Sequence, residues 1–101
     1  MLRPTDAALR RLPKAELHVH LDGSLRPSTL AELARERERS LPVYDELALG
    51  AHMLVSDARN LEEYLARFAL TLSVMQDADA LERITFELVE DHAAENVAYV
   101  E

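Results

Sequence analysis

Two histidines at alternate positions, His18 and His20, carry the most distinctive chemistry in this chain, and carboxylates flank them at the same spacing, Glu16 and Asp22. Imidazole and carboxylate are the groups left to hold a divalent ion when thiolate is absent, and the chain has no cysteine. A zinc or iron hydrolase needs neutral imidazoles on a rigid element with an open coordination position beside them. The run Ala15 to Leu21 supplies such an element. Ala15, Leu17, Val19 and Leu21 alternate with Glu16, His18, His20 and Asp22, and a period of two predicts a strand that turns both histidines to one face. Their backbone positions would lie about 7 Å apart, within reach of one ion. Asp22-Gly23-Ser24 then reads as a turn. The spacing leaves two readings open, a metal site and a strand whose histidines are structural.

The elements that must position this strand follow in order. Asp6 to Arg11 reads as a short helix capped by Thr5 or Asp6, and Pro13 separates it from the strand. Pro27 suits the first turn of a helix running to about Arg39, with Leu30, Leu33 and Ala34 buried. Its tail, Arg35 to Arg39, alternates charge and reads as a solvated face. Between Val43 and Ser56 the apolar Leu47, Leu49, Met53, Leu54 and Val55 are interrupted by Gly50, which suggests short helical turns and loop. Asn60 caps a helix to about Met75 with Leu61, Tyr64, Leu65, Phe68, Leu72 and Met75 on one stripe. Asp77 to Asp79 opens a further helix to about Glu95, burying Leu81, Ile84, Leu88 and Val89. Asn96 suits a left-handed cap, and Val97 to Val100 reads as a second strand.

Strand, helices, strand is one enlarged βαβ crossover, so the strands are expected to be parallel and the class α/β. Two parallel strands with helices on one side do not close a buried sheet, so the 101 residues read as one domain's opening portion. They are too few for a complete catalytic barrel, which takes about 250. A net charge of −8 argues against nucleic acid as a partner, since such surfaces cluster Lys and Arg. No signal-peptide core or membrane-spanning run is present, which makes a cytoplasmic protein without membrane contact the default expectation.

Beyond pattern, Leu12 to Ser24 resembles the N-terminal signature of the adenosine deaminase family, a PK-x-ELH-x-HLDG strand that opens a (β/α)8 barrel. Pro13, Lys14, Glu16, Leu17, His18, His20, Leu21, Asp22 and Gly23 supply that signature here. The likeness continues through Leu25-Arg26-Pro27, Leu61 to Phe68, Phe86 to Asp91 and Val97 to Glu101, in the family's order. The resemblance implies that His18 and His20 are two ligands of a zinc ion at the C-terminal end of the first barrel strand. It implies that His20 also touches substrate and that Asp22 accepts a hydrogen bond from a ribose hydroxyl. A short Asp leaves room for a sugar and its charge opposes a 5'-phosphate, which favours adenosine or deoxyadenosine over adenine or AMP. Leu61, Tyr64, Leu65 and Phe68 correspond to a hydrophobic gate over the pocket, with core packing the competing role.

The implied reaction is hydrolytic deamination of a small-molecule purine nucleoside to its 6-oxo product and ammonia. Adenine and aminofutalosine deaminases are the alternatives within the family, and a non-catalytic helical interaction module is the alternative outside it. Glu16 reads as an interior residue paired with a cation or with a group that supports the metal ligands, Glu101 aligns with a buried strand carboxylate, and His52 and His92 read as ordinary surface histidines. The family takes its remaining ligands, another His and an acidic Glu from HAGE-like and DD-containing motifs and a later strand. No such motif occurs between Gly23 and Glu101. The stretch alone is therefore expected to bind zinc weakly and not to turn over.

Overall fold

A computed structural model describes residues 2–54 and 57–101. Val55, one of the apolar residues in the ambiguous segment, lies outside the described residues. The element order is α1 (Asp6–Arg11), β1 (Lys14–Glu16), α2 (Pro27–Glu36), α3 (Glu46–Met53), α4 (Leu61–Ala66), α5 (Ala69–Leu72), α6 (Ala78–Ala94) and β2 (Val97–Val100). The two strands pair in parallel, with Lys14 opposite Val97 and Glu16 opposite Val100. The α/β class and the parallel crossover therefore hold. Among the described residues, no helix is long and apolar enough to cross a membrane.

The regular strand is shorter than the alternation from Ala15 to Leu21 predicts. Strand structure needs a ladder, and the partner β2 ends at Val100. One rung continues past it, as Glu101 donates its N–H to the Glu16 carbonyl (2.9 Å) and accepts from the Val19 N–H (3.0 Å). Residues 17–20 run on outside the regular strand, and a 3-10 turn, Leu21–Gly23, ends the segment.

The core lies among the helices. Leu30, Leu33 and Ala34 of α2 pack with Leu49, Val74 and Ile84, all buried. Pro27 opens α2 as expected, but the helix stops at Glu36 rather than Arg39. Glu38 takes a left-handed conformation (φ 53°), and the Arg39 N–H reaches back to the Ala34 carbonyl (2.8 Å). This is a Schellman ending made without glycine. The charged tail is also not simply solvated. Arg37 donates to both carboxylate oxygens of Asp77 (2.6 and 2.8 Å), and Arg35 sits 5.1 Å from the Tyr44 ring centroid.

The segment expected to be turns and loop contains an eight-residue helix, α3, capped by the Asp45 carboxylate on the Ala48 N–H. Gly50 does not break it. A Cβ there would lie 3.4 Å from Pro27 Cγ, near contact distance, so the position faces the start of α2. Conversely, the single helix expected from Asn60 to Met75 is two. Asn60 does cap α4, accepting from the Glu63 N–H (2.9 Å). At Arg67 and Phe68 the N–H groups bond three residues back instead of four, which tightens the turn. The change of phase takes Phe68 toward the histidine turn while Thr71 and Val74 enter the core. In α6, capped by Asp77, Ala80 and Ile84 are buried and Leu88 is half-buried. Leu81 and Val89 are exposed, against expectation, because among the described residues nothing packs on that stripe.

Candidate metal centre

The extended backbone after β1 carries out what the alternation promised for the histidines. His18 Nε2 and His20 Nε2 lie 3.0 Å apart, with the rings stacked at 5.0 Å between centroids and 27° between planes. Asp22 joins them from the following turn, its Oδ1 3.9 Å from His20 Nδ1. The turn is held by short-range bonds. The His20 carbonyl accepts from the Gly23 N–H (3.1 Å) and from the Ser24 hydroxyl, and the Leu21 carbonyl accepts from the Ser24 N–H (3.1 Å).

Phe68 borders the pair on another side. Its ring centroid lies 6.5 Å from that of His20, and a Cβ on Gly23 would sit 3.6 Å from the Phe68 ring. Tyr64 meets Phe68 edge-on at 5.2 Å. Of the four residues aligned with a gate, Phe68 thus approaches the histidine turn directly and Tyr64 backs it. Leu61 and Leu65 are exposed, Leu61 at 69%.

The donor set fits a zinc ion. Two imidazole nitrogens on a tetrahedral zinc at about 2.05 Å are separated by about 3.3 Å, so the observed pair needs to open by only a few tenths of an ångström. Without an ion, a 3.0 Å contact requires one ring to donate and the other to accept. Among the described residues, no group of three or more His, Asp or Glu is placed to hold an ion. His18 and His20 are thus two converging donors, with the Asp22 carboxylate beside His20. An open cavity of about 230 Å³ lies elsewhere, at the start of β1, lined by Asp6, Leu9, Arg10, Lys14 and Glu95; it is distinct from the histidine end.

Other expectations resolve differently. Glu16 is half-buried, and its carboxylate accepts the His18 N–H (3.3 Å), so the partner it meets is the backbone of a candidate ligand rather than a cation. Glu101 is exposed and accepts from the Tyr99 hydroxyl (3.1 Å); its expected burial is not seen because no element covers that end of β2 among the described residues. His52 is exposed, as expected. His92 is half-buried, its Nδ1 2.8 Å from the Leu88 carbonyl one turn back in α6. Sequence reasoning missed three supporting groups. Ser24 holds the His20 carbonyl, Arg26 pairs with α6, and Lys14 Nζ donates to the carbonyls of Leu9, Arg10 and Leu12 (2.7, 3.3 and 2.9 Å). The legible signal for Lys14 is a lysine just beyond a helix C-terminus, where free carbonyls collect.

Comparison with known proteins identifies the family. The family model for adenosine deaminase matches residues 13–101. An adenosine deaminase of Vibrio atlanticus is 50% identical over 90 residues, covering 89% of this chain and 27% of that protein. One from Shewanella woodyi is 50% identical over 91 residues, covering 89% and 28%, and one from Clostridium botulinum 46% over 93, covering 91% and 28%. A solved structure described as the ADAL-IMP complex superposes with a TM-score of 0.72 at 42% identity, covering 96% of this chain and 28% of that one. The chain thus spans just over a quarter of the length of these relatives. Its architecture is consistent with part of a (β/α)8 barrel, and the chain belongs to the adenosine deaminase family.

Proposed function

We propose that this chain forms the opening part of a zinc-dependent cytoplasmic hydrolase that deaminates adenosine and deoxyadenosine at C6. The observation that carries the reading is the pair of imidazole nitrogens 3.0 Å apart beyond the C-terminal end of β1, with the Asp22 carboxylate beside them. In barrel enzymes that end is where catalytic groups collect. His18 and His20 would hold zinc, which lowers the pKa of water toward neutrality and so supplies a hydroxide nucleophile. The reaction forms a C6–O bond, breaks the C6–N bond and releases ammonia. His20 and Asp22 orient the nucleoside, with Asp22 accepting from a ribose hydroxyl. Phe68 and Tyr64, with Leu61 and Leu65, form the apolar wall that keeps bulk water from the purine. The remaining ligands and the acid that protonates N1 come from other parts of a complete barrel, so the 101-residue stretch alone is expected to be inactive.

A purine nucleoside 5'-monophosphate is the second reading, favoured by the superposition on a protein whose structure is described with IMP. The discriminating experiment assays the natural full-length protein on adenosine, deoxyadenosine, adenine and AMP, with zinc measured by elemental analysis. One zinc per chain and the highest kcat/KM on a nucleoside are expected. His20→Ala should lose zinc by more than the ~10–100-fold typical of groups that only orient a ligand. Preference for AMP would establish the second reading, and preference for adenine would overturn the role given to Asp22. Absence of zinc would favour a non-catalytic module.

A further inference from the structure

The residue that follows the His20–Ser24 turn and Leu25 is Arg26, whose guanidinium closes on the far end of α6. Its Nε donates to both oxygens of Asp91 (3.1 Å each), and one terminal nitrogen donates to Asp91 Oδ1 and Glu90 Oε1 (2.7 Å each). The other lies 3.9 Å from Glu87 Oε1. Glu87, only 12% exposed at its side chain, is itself fixed by the buried Thr29 hydroxyl (2.6 Å) and by Arg83 Nε (3.0 Å). Leu25, between the turn and Arg26, is buried in the core, and the turn packs against α6.

A single exposed ion pair usually contributes little, but a forked guanidinium on three carboxylates, one of them nearly buried, fixes direction as well as charge. We propose that Arg26 is a positioning residue: through Leu25 and Ser24 it holds the His20–Ser24 turn against α6, and so sets where the His20 ring and the Asp22 carboxylate stand. The part concerning ligand and substrate groups rests on the zinc nucleoside deaminase reading; the part concerning the turn does not. The Arg26 guanidinium is engaged by Glu90 and Asp91, away from the histidine pair. It acts by denying the turn alternative positions, which a lysine, offering a point charge without the fork, does only in part.

The test compares Arg26→Ala and Arg26→Lys with wild type in the natural full-length protein, by hydrogen exchange of individual amides. The Gly23 and Ser24 amides, which close the turn, should exchange about 10-fold faster or more in Arg26→Ala, while Ile84 and Leu88 within α6 stay within about twofold. Arg26→Lys should fall between. Zinc affinity, measured by chelator competition, should drop about 10–100-fold in Arg26→Ala. Equal acceleration at all four amides would reduce Arg26 to general stability and overturn the proposal, as would unchanged Gly23 and Ser24. Should Arg26→Ala fail to fold, Asp91→Asn must give the same pattern. A wild-type protein without zinc would overturn the deaminase reading, while the exchange pattern would still decide whether Arg26 holds the turn.

Discussion

The helices enclose a sealed core around α2, whereas the ribbon of β1 and β2, like the outward faces of the helices, leaves apolar surface open. Leu30, Leu49, Val74 and Ile84 are fully buried, and the two polar side chains buried with the helices, Thr29 and Thr71, each donate to an oxygen nearby. In the segment of β1 the balance is reversed: Leu17 is 67% exposed and Tyr99 in β2 is 54% exposed. Parallel strands are ordinarily covered on both faces. The core around α2 is therefore filled by residues of this stretch, while the ribbon and outward helix residues such as Leu47, Leu61 and Phe86 lack covering elements among the described residues. The candidate metal centre lies on the ribbon side, where His18 and His20 converge and, among the described residues, no group of three or more His, Asp or Glu forms.

Substitutions on the two sides test that contrast. Leu30→Ala should cost about 2–5 kcal/mol in denaturant unfolding of the full-length protein, because the cavity is walled by other buried residues. A loss below about 1 kcal/mol would mean that the helical layer is looser than its burial indicates. A smaller effect is expected where α2 meets α6. Arg37, and then the Ala80 N–H, hold the Asp77 carboxyl at about 2, below its ordinary value of 3.8. A lowered folded-state value stabilises above the unfolded value, so this contribution is complete above about pH 4 and is lost as pH falls toward 2. Asp77→Asn should flatten that part of the acid-unfolding profile, and an unchanged profile would remove the pair from the account. The smallest effect belongs to the ribbon. Leu17→Ala should change the stability of the 101-residue polypeptide by no more than about 0.5 kcal/mol. In the full-length protein the same change should cost about 2 kcal/mol or more if a barrel interior covers it. Equal costs in both would break the comparison.

Much of this organisation was legible in the chain. Period-two spacing brought His18 and His20 together, Thr5, Asn60 and Asp77 marked helix starts, and Asn96 does take the left-handed conformation (φ 60°). What was not legible depended on contacts between distant segments. Gly50 reads as an interruption until Pro27 is seen lying against it. The end of α2 is hidden because Glu38, not glycine, adopts the left-handed turn. The break between α4 and α5 is invisible in an unbroken apolar stripe, since it answers to where Phe68 must go. Arg26 looks like an ordinary charge beside a proline until Glu90 and Asp91, over sixty residues away, come to meet it. Leu81 and Val89 follow a helical period correctly, and what they lack is a covering element among the described residues.

Asn96 joins the two ends of this stretch. Its carbonyl accepts the Lys14 N–H (3.1 Å), and its side-chain amide donates to the Arg11 carbonyl (2.7 Å), a partner 85 residues earlier. A ribosome adding roughly 5–20 residues per second needs about 4–17 s to deliver Asn96 once Arg11 has been made. During that interval α2 and α3 can already meet, but Lys14 to Glu16 have no strand beside them. Closing so long a loop also makes this joint slow relative to the local helix contacts. The segment bearing His18 and His20 therefore gains its strand partner only after its helical support has been made.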